Sequence, residues 1–277
     1  MDEEPFRVPV GDGVLAGHRG GGGPPALLLH GGPAWSDYTE GCAAELGGLL
    51  HTHRYTQRGA PPSTAGGPYT IEAHMADALA VLDHFGIERA WAVGHSWGGH
   101  LAMHLAVTHP ERLLGVVCVS PLGAFDRVFA ELGRNMEGRL TPAQEERIGA
   151  IEAARRRGQA TEADLVERMG YIWPHWFADP AQAPPSVATR IGVECSRETN
   201  ASISHHFRLS TLATGLPSVT LPALFVHGED DPMPVSSSLE AAALIRGAVV
   251  ETIPGCGHFP WIERPGEVHR IVSGFLP

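Results

Sequence analysis

The run Gly94-His95-Ser96-Trp97-Gly98-Gly99 fits G-x-S-x-G, and its central serine is the strongest candidate for covalent chemistry in the chain. A serine hydroxyl is a weak nucleophile until a base takes its proton and an acid holds that base in place. Two downstream runs offer these partners, His227-Gly228-Glu229-Asp230-Asp231-Pro232 and Gly255-Cys256-Gly257-His258-Phe259. Their order, serine then acid then histidine, suits a nucleophile carried on a strand-to-helix turn. Ser96 is therefore expected as the nucleophile, His258 as its base and Asp231 as the acid that fixes the imidazole tautomer. Asp231 is favoured because it precedes Pro232 in a loop directly after a strand; Asp230 and Asp126 are the alternatives.

The spacing has a steric reason. A serine lifted above a sheet needs so sharp a bend that side chains two residues away on either side would collide, and Gly94 and Gly98 remove them. The helix that follows turns its positive end toward developing negative charge. Acyl transfer also needs donors for an oxyanion. The backbone N–H of Trp97 is expected to supply one, and Gly32 in the loop His30-Gly31-Gly32-Pro33 the second. His30 is read as a residue that shapes this loop by hydrogen bonding.

The surrounding elements are those that such a turn requires. Residues 6–18 read as two strands around Gly11-Asp12-Gly13, and 26–30 as a buried strand. A helix over 39–50 and a strand over 53–57 follow. Apolar residues at helical spacing from Ile71 to Phe85 predict a helix that stops at Gly86. Further strands are expected at 90–94, 113–120, 223–227 and 249–253, and helices at 96–109, 235–245 and 265–276. This alternation predicts an α/β chain with a doubly wound, mostly parallel sheet of about eight strands. Residues 122–217 break it: they show helical patterns, including 142–157 and 162–170, and no buried strand. The expected organisation is a core of residues 1–121 and 218–277 with a helical cap over 122–217.

Composition narrows the field. The 277 residues carry a formal net charge of −11, which argues against nucleic acid as a partner. All 20 basic residues are arginine, so Schiff-base, pyridoxal-phosphate and P-loop lysine chemistries are excluded. Four cysteines far apart in sequence, and no apolar leader or membrane-length run, predict free thiols and a cytoplasmic protein without membrane association. No cofactor or metal motif is visible. His100 and His104 lie one helical turn apart but lack an HExxH context, and Arg155-Arg156-Arg157 reads as a solvated helix end.

These motifs resemble the α/β-hydrolase superfamily and, within it, the prolyl aminopeptidase-like serine hydrolases. The likeness covers nearly the whole chain outside the cap. It rests on His30-Gly31-Gly32-Pro33, Tyr55-Thr56-Gln57-Arg58-Gly59, Gly94 to Gly99, Thr108-His109-Pro110-Glu111-Arg112, His227-Gly228 through Asp231, and Gly257-His258. The resemblance implies an α/β-hydrolase fold and a small-molecule substrate cleaved through an acyl-enzyme. An aspartate nucleophile, as in dehalogenases and epoxide hydrolases of this fold, is excluded by Ser96. The chain departs from the aminopeptidases where Ala34-Trp35 follow the HGGP run, where Thr56 replaces an aspartate, and where Phe177 follows Trp173-Pro174-His175-Trp176 in place of an amine-binding glutamate. Glu194 and Glu198 are the remaining candidates for that carboxylate. An ammonium buried without one would be costly, so an ester or lactone is favoured over a peptide N-terminus. A hydrophobic substrate portion is expected against Trp35, Tyr171, Trp173, Trp176 and Phe207. A slow-turnover ligand sensor and a lyase or acyltransferase are the competing functions on the same fold.

Overall fold

A computed structural model describes residues 2–277. Among them, eight strands form a single sheet: β1 (Glu4–Val10), β2 (Gly13–Gly21), β3 (Pro25–Leu29), β4 (His51–Tyr55), β5 (Ala90–His95), β6 (Leu113–Val119), β7 (Ala223–Gly228) and β8 (Val249–Ile253), in the order β1-β2-β4-β3-β5-β6-β7-β8. The hairpin β1–β2 and the pair β2–β4 are antiparallel; every other pairing is parallel. The mixed, mostly parallel sheet is the architecture expected from the sequence.

The central strands are apolar on both sides because helices cover both faces. With side chains alternating along each strand, Leu27, Leu29, Ala92, Val116 and Phe225 enter one core. Leu28, Val93, Val117 and Leu224 enter the other. The first face is covered by α2 (Ile71–His84) and α3 (Trp97–Thr108), the second by α1 (Glu40–Leu46). Helix α2 starts where the Thr70 hydroxyl accepts the Ala73 N–H and ends at Phe85, followed by Gly86 at φ +65°.

Between β6 and β7 the chain forms no strand. It contributes α4 (Arg127–Met136), α5 (Pro142–Arg156), α6 (Glu162–Ile172), α7 (Val193–Arg208) and α8 (Thr211–Gly215). Capping boxes at Thr141/Gln144 and Thr161/Asp164 begin α5 and α6. After β7 come α9 (Ser236–Ala243), α10 (Pro260–Glu263) and α11 (Glu267–Phe275). Among the described residues no helix is long and apolar enough to cross a membrane.

Two boundaries differ from expectation for local reasons. The helix expected over 39–50 stops at Leu46 because Gly47 and Gly48 follow. The strand expected over 53–57 runs instead from His51 to Tyr55, which leaves Gln57 in a loop with a task of its own. The Gln57 N–H donates to His30 Nε2 (3.0 Å), its side-chain amide donates to the His30 carbonyl (2.7 Å), and its Oε1 accepts from the Trp97 indole (2.8 Å). Gln57 thereby ties the loop after β3 to the start of α3.

Candidate active site

Ser96 sits between β5 and α3 with φ 55° and ψ −117°, a strained conformation that non-glycine residues seldom adopt. The flanking glycines are required as the spacing predicts. A Cβ on Gly98 would stand on the Leu29 carbonyl, and one on Gly94 on the Gly98 carbonyl. The Ser96 N–H is bonded to the Val119 carbonyl at 2.9 Å, which fixes the bend to the neighbouring strand.

His258 lies in the loop after β8, and its Nδ1–H donates to Asp231 Oδ2 at 2.7 Å. Asp231 follows β7; its Oδ1 accepts the Met233 N–H at 2.8 Å, which closes a local turn and aims the other oxygen at the imidazole. His227 Nε2–H donates to the Met233 carbonyl (2.8 Å), and the same nitrogen lies 3.4 Å from Asp231 Oδ2. Burial lowers His258 to about 3, so its imidazole is neutral at pH 7 and free to accept a proton. Burial raises Asp231 to about 7, against the opposing pull of His227 and the hydrogen-bond donors around the carboxylate. The alternatives lie elsewhere: Asp126 is exposed at the N-terminus of α4, and Asp230 is exposed beside Asp231.

A cavity of about 210 Å³ is lined by Ser96 and His258 together with Gly32 and Trp97. The N–H groups of Gly32 and Trp97 are taken by no backbone carbonyl among the described residues. That of Gly31 is already engaged by the Tyr38 hydroxyl at 2.9 Å. The hydroxyl proton of Tyr38 goes to His95 Nδ1 (2.7 Å), because His95 Nε2–H donates to the His258 carbonyl (2.8 Å). Two unpaired donors beside a serine and a neutral, carboxylate-bonded imidazole can carry acyl transfer.

Residues 24–265 match the family model described as alpha/beta hydrolase fold. The chain belongs to that family. As an α/β hydrolase it is 29% identical to the 2-hydroxymuconate semialdehyde hydrolase of Pseudomonas putida, over 94% of this chain and 89% of that protein. It is 25% identical to epoxide hydrolase A of Mycobacterium tuberculosis, over 92% and 91% respectively. The solved structure of a proline iminopeptidase-related protein from Thermus thermophilus superposes with a TM-score of 0.70 at 25% identity, covering 100% of this chain and 98% of that one.

The expected aromatic lining of this α/β hydrolase is corrected in part. Trp35 and Trp176 line the cavity; Tyr171, Trp173 and Phe207 do not. On α6 the residues facing the cavity are Leu165, Arg168, Met169 and Ile172, spaced three, four and seven apart. Tyr171 is off that stripe, with its hydroxyl donating to Glu167. Trp173 is buried as packing, its indole donating to the Pro184 carbonyl (2.6 Å) and its ring against Phe177 and Phe259. Phe207 packs on His100 and Phe129.

Two functional candidates escaped the sequence reading. Arg155, taken there as part of a solvated helix end, lines the cavity, as does Arg168, whereas Arg156 and Arg157 are exposed. Arg168 Nε lies 2.6 Å from Glu152 Oε1, and Arg155 Nη1 lies 3.6 Å from Glu152 Oε2. One carboxylate thus faces two guanidiniums, an excess of positive over negative groups among these three side chains. The signal in the sequence was a single arginine interrupting the apolar stripe of a helix. Neither Glu194 nor Glu198 reaches this cavity, and among the described residues no aspartate or glutamate lines it. His100 and His104 bond to each other (Nε2···Nε2 3.3 Å), and the described residues hold no group of three placed to bind a metal. Cys256 is buried, with its thiol pushed well above its ordinary range.

Proposed function

We propose that this protein is a serine hydrolase acting on a small, partly apolar ester or lactone that also carries a carboxylate. The observation that carries the reading is the meeting of Ser96, His258, Gly32 and Trp97 around one cavity, the N–H groups of the last two being bonded to no backbone carbonyl. Residues 1–121 and 218–277 serve as the hydrolase core, with 122–217 as its cap.

In the first half-reaction the Ser96 oxygen attacks the acyl carbon while His258 Nε2 takes the hydroxyl proton. The resulting oxyanion is held by the N–H groups of Trp97 and Gly32, each such donor typically contributing ~10²–10³ in turnover. The tetrahedral species collapses to an acyl-Ser96 ester, and the alcohol leaves with the proton returned by His258. Water then repeats the sequence: His258 takes its proton, the hydroxide adds to the acyl carbon, and Ser96 departs with that proton to release the acid. Asp231 holds the imidazole with Nδ1–H toward itself throughout.

The charge of the cavity selects among substrates. An aminopeptidase must receive an ammonium, and here it would meet Arg155 and Arg168 without a carboxylate lining the cavity. The same two arginines suit an anion. The Pseudomonas putida relative is named for 2-hydroxymuconate semialdehyde, by that name a carboxylate.

The test is a matched panel: a short-chain half-ester of a dicarboxylic acid, its neutral methyl diester, a lactone, a muconate-type keto acid and proline arylamide. Half-ester turnover should exceed diester turnover, and Arg168→Met should remove the preference, costing the half-ester ~10–100-fold in kcat/KM, the worth of a charge-assisted hydrogen bond. Fast proline release would replace this reading with the aminopeptidase. Tight binding without turnover would replace it with the sensor.

A further inference from the structure

His258 is held by more than Asp231. Its own N–H donates to the Trp176 carbonyl at 2.8 Å, and its carbonyl accepts from His95 Nε2–H at 2.8 Å. The residues on either side of it are bound to a single carboxylate: Gly257 N–H donates to Glu263 Oε2 (3.0 Å) and Phe259 N–H to Glu263 Oε1 (3.3 Å). Glu263 Oε2 also accepts the Ala178 N–H at 2.8 Å. Trp176 and Ala178 belong to the helical insertion, whereas Gly257 to Phe259 follow β8. The Trp176 ring also lies over the His258 ring, centroids 4.4 Å apart, and lines the cavity.

From this arrangement we infer that Glu263 is a positioning residue: it docks segment 176–178 of the insertion onto the His258 loop, and the imidazole is presented to Ser96 only while that segment is docked. The inference rests on the reading of His258 as the base. The physical reason is that every group hydrogen-bonded to the Glu263 carboxylate is a donor. Both oxygens are needed as acceptors, and an amide NH₂ in place of either would face an N–H with nothing to receive it. Charge assistance makes these bonds stronger than neutral ones, so one side chain can join two segments about eighty residues apart in sequence. Loss of the clasp would leave the Asp231–His258 bond intact but free the main chain on which the base is mounted.

The experiment compares wild type with Glu263→Gln and Glu263→Asp, reading kcat, KM, the rate of Ser96 labelling by a fluorophosphonate, and Tm. Glu263→Gln should slow labelling and kcat by ~10–100-fold, the usual effect of an ångström-scale misplacement, with KM within about twofold. Glu263→Asp keeps two acceptor oxygens and should recover part of the loss. A folded Glu263→Gln protein that labels and turns over at the wild-type rate overturns the inference, as does a rise in KM with kcat unchanged. Should both variants fail to fold, amide exchange on the wild-type protein decides. The Ala178, Gly257, His258 and Phe259 amides should exchange together as one unit, and an Ala178 amide exchanging ~100-fold faster than that of Gly257 overturns the clasp. A wild type that neither labels nor turns over would count against the proposed function, while the exchange measurement would still decide the clasp.

Discussion

Ser96, Asp231 and His258 differ in what their surroundings ask of them. In the proposed mechanism Ser96 requires only the bend; His258 must be neutral to act as the base, and its burial favours that form. Asp231 must be an anion, and its burial opposes that. As pH falls the pair takes up one proton, and with Asp231 raised to about 7 that uptake lies near neutrality. The pH profile of kcat/KM should therefore fall on its acid side near pH 7, above the ordinary carboxylate range. A profile flat down to pH 5 would contradict this. The same shift fixes a stability sign. A carboxyl raised in the folded state contributes stability in acid that is lost as pH rises through about 7, so the ionised form strains the fold above it. The Tm of Asp231→Asn relative to wild type should be higher at pH 8 than at pH 5, while kcat falls by ~10⁴. Asp126→Asn, changing an exposed group, should leave both alone. Calorimetry and steady-state kinetics on the two variants separate the outcomes.

At the level of elements, the turn that carries Ser96 is decided by backbone contact. Gly98 passes against the Leu29 carbonyl, so α3 and β3 approach as closely as they do only without a side chain there. Gly98→Ala should destabilise by ~1–3 kcal/mol, the usual range for overpacking, and should abolish fluorophosphonate labelling even where the protein folds. Denaturant unfolding and a labelling assay check the two halves. Helix α6 makes the complementary point. Its apolar stripe is what seats it on the site, and Arg168 rides on that stripe into the cavity.

Over the whole molecule, the site lies where strand order reverses. The chain proceeds from β3 to β4 on one side, then returns to place β5 on the other side of β3, and the loops after β3 and β5 diverge there. Gly32 and Ser96 come from those two loops. The loop after β4 is secured by a buried ion pair, Arg58 Nη2 to Asp77 Oδ1 at 2.6 Å, with Arg58 also donating to the Gly66 and Pro68 carbonyls. Removing one partner strands a buried charge. Asp77→Ala should cost ~3–5 kcal/mol in urea unfolding, whereas breaking the exposed, solvent-screened pair Arg270–Glu267 should move the urea midpoint far less. Equal effects would refute the distinction.

The sequence by itself determined the alternation of strands and helices and the sharp turn at Ser96, and it supplied the candidate donor loops and the candidate order of acid and base. Each of these is local: Gly94 and Gly98 clear a bend within five residues, and apolar runs reveal strands buried on both faces. What it left open turns on contacts between distant segments. Asp231 was separated from Asp230 and Asp126 only by which carboxylate oxygen reaches the His258 ring, a matter of ångströms between two loops. The aromatic lining was read by residue type, yet the side of α6 that meets the core decided the matter, admitting Arg168 and excluding Tyr171. Arg155 and Glu263 carried no signal in their neighbours along the chain, because the groups they serve arrive through folding. Short-range sterics and periodicity are written into adjacent residues, while charge placement and the mounting of the base depend on how the insertion and the sheet come to rest against each other.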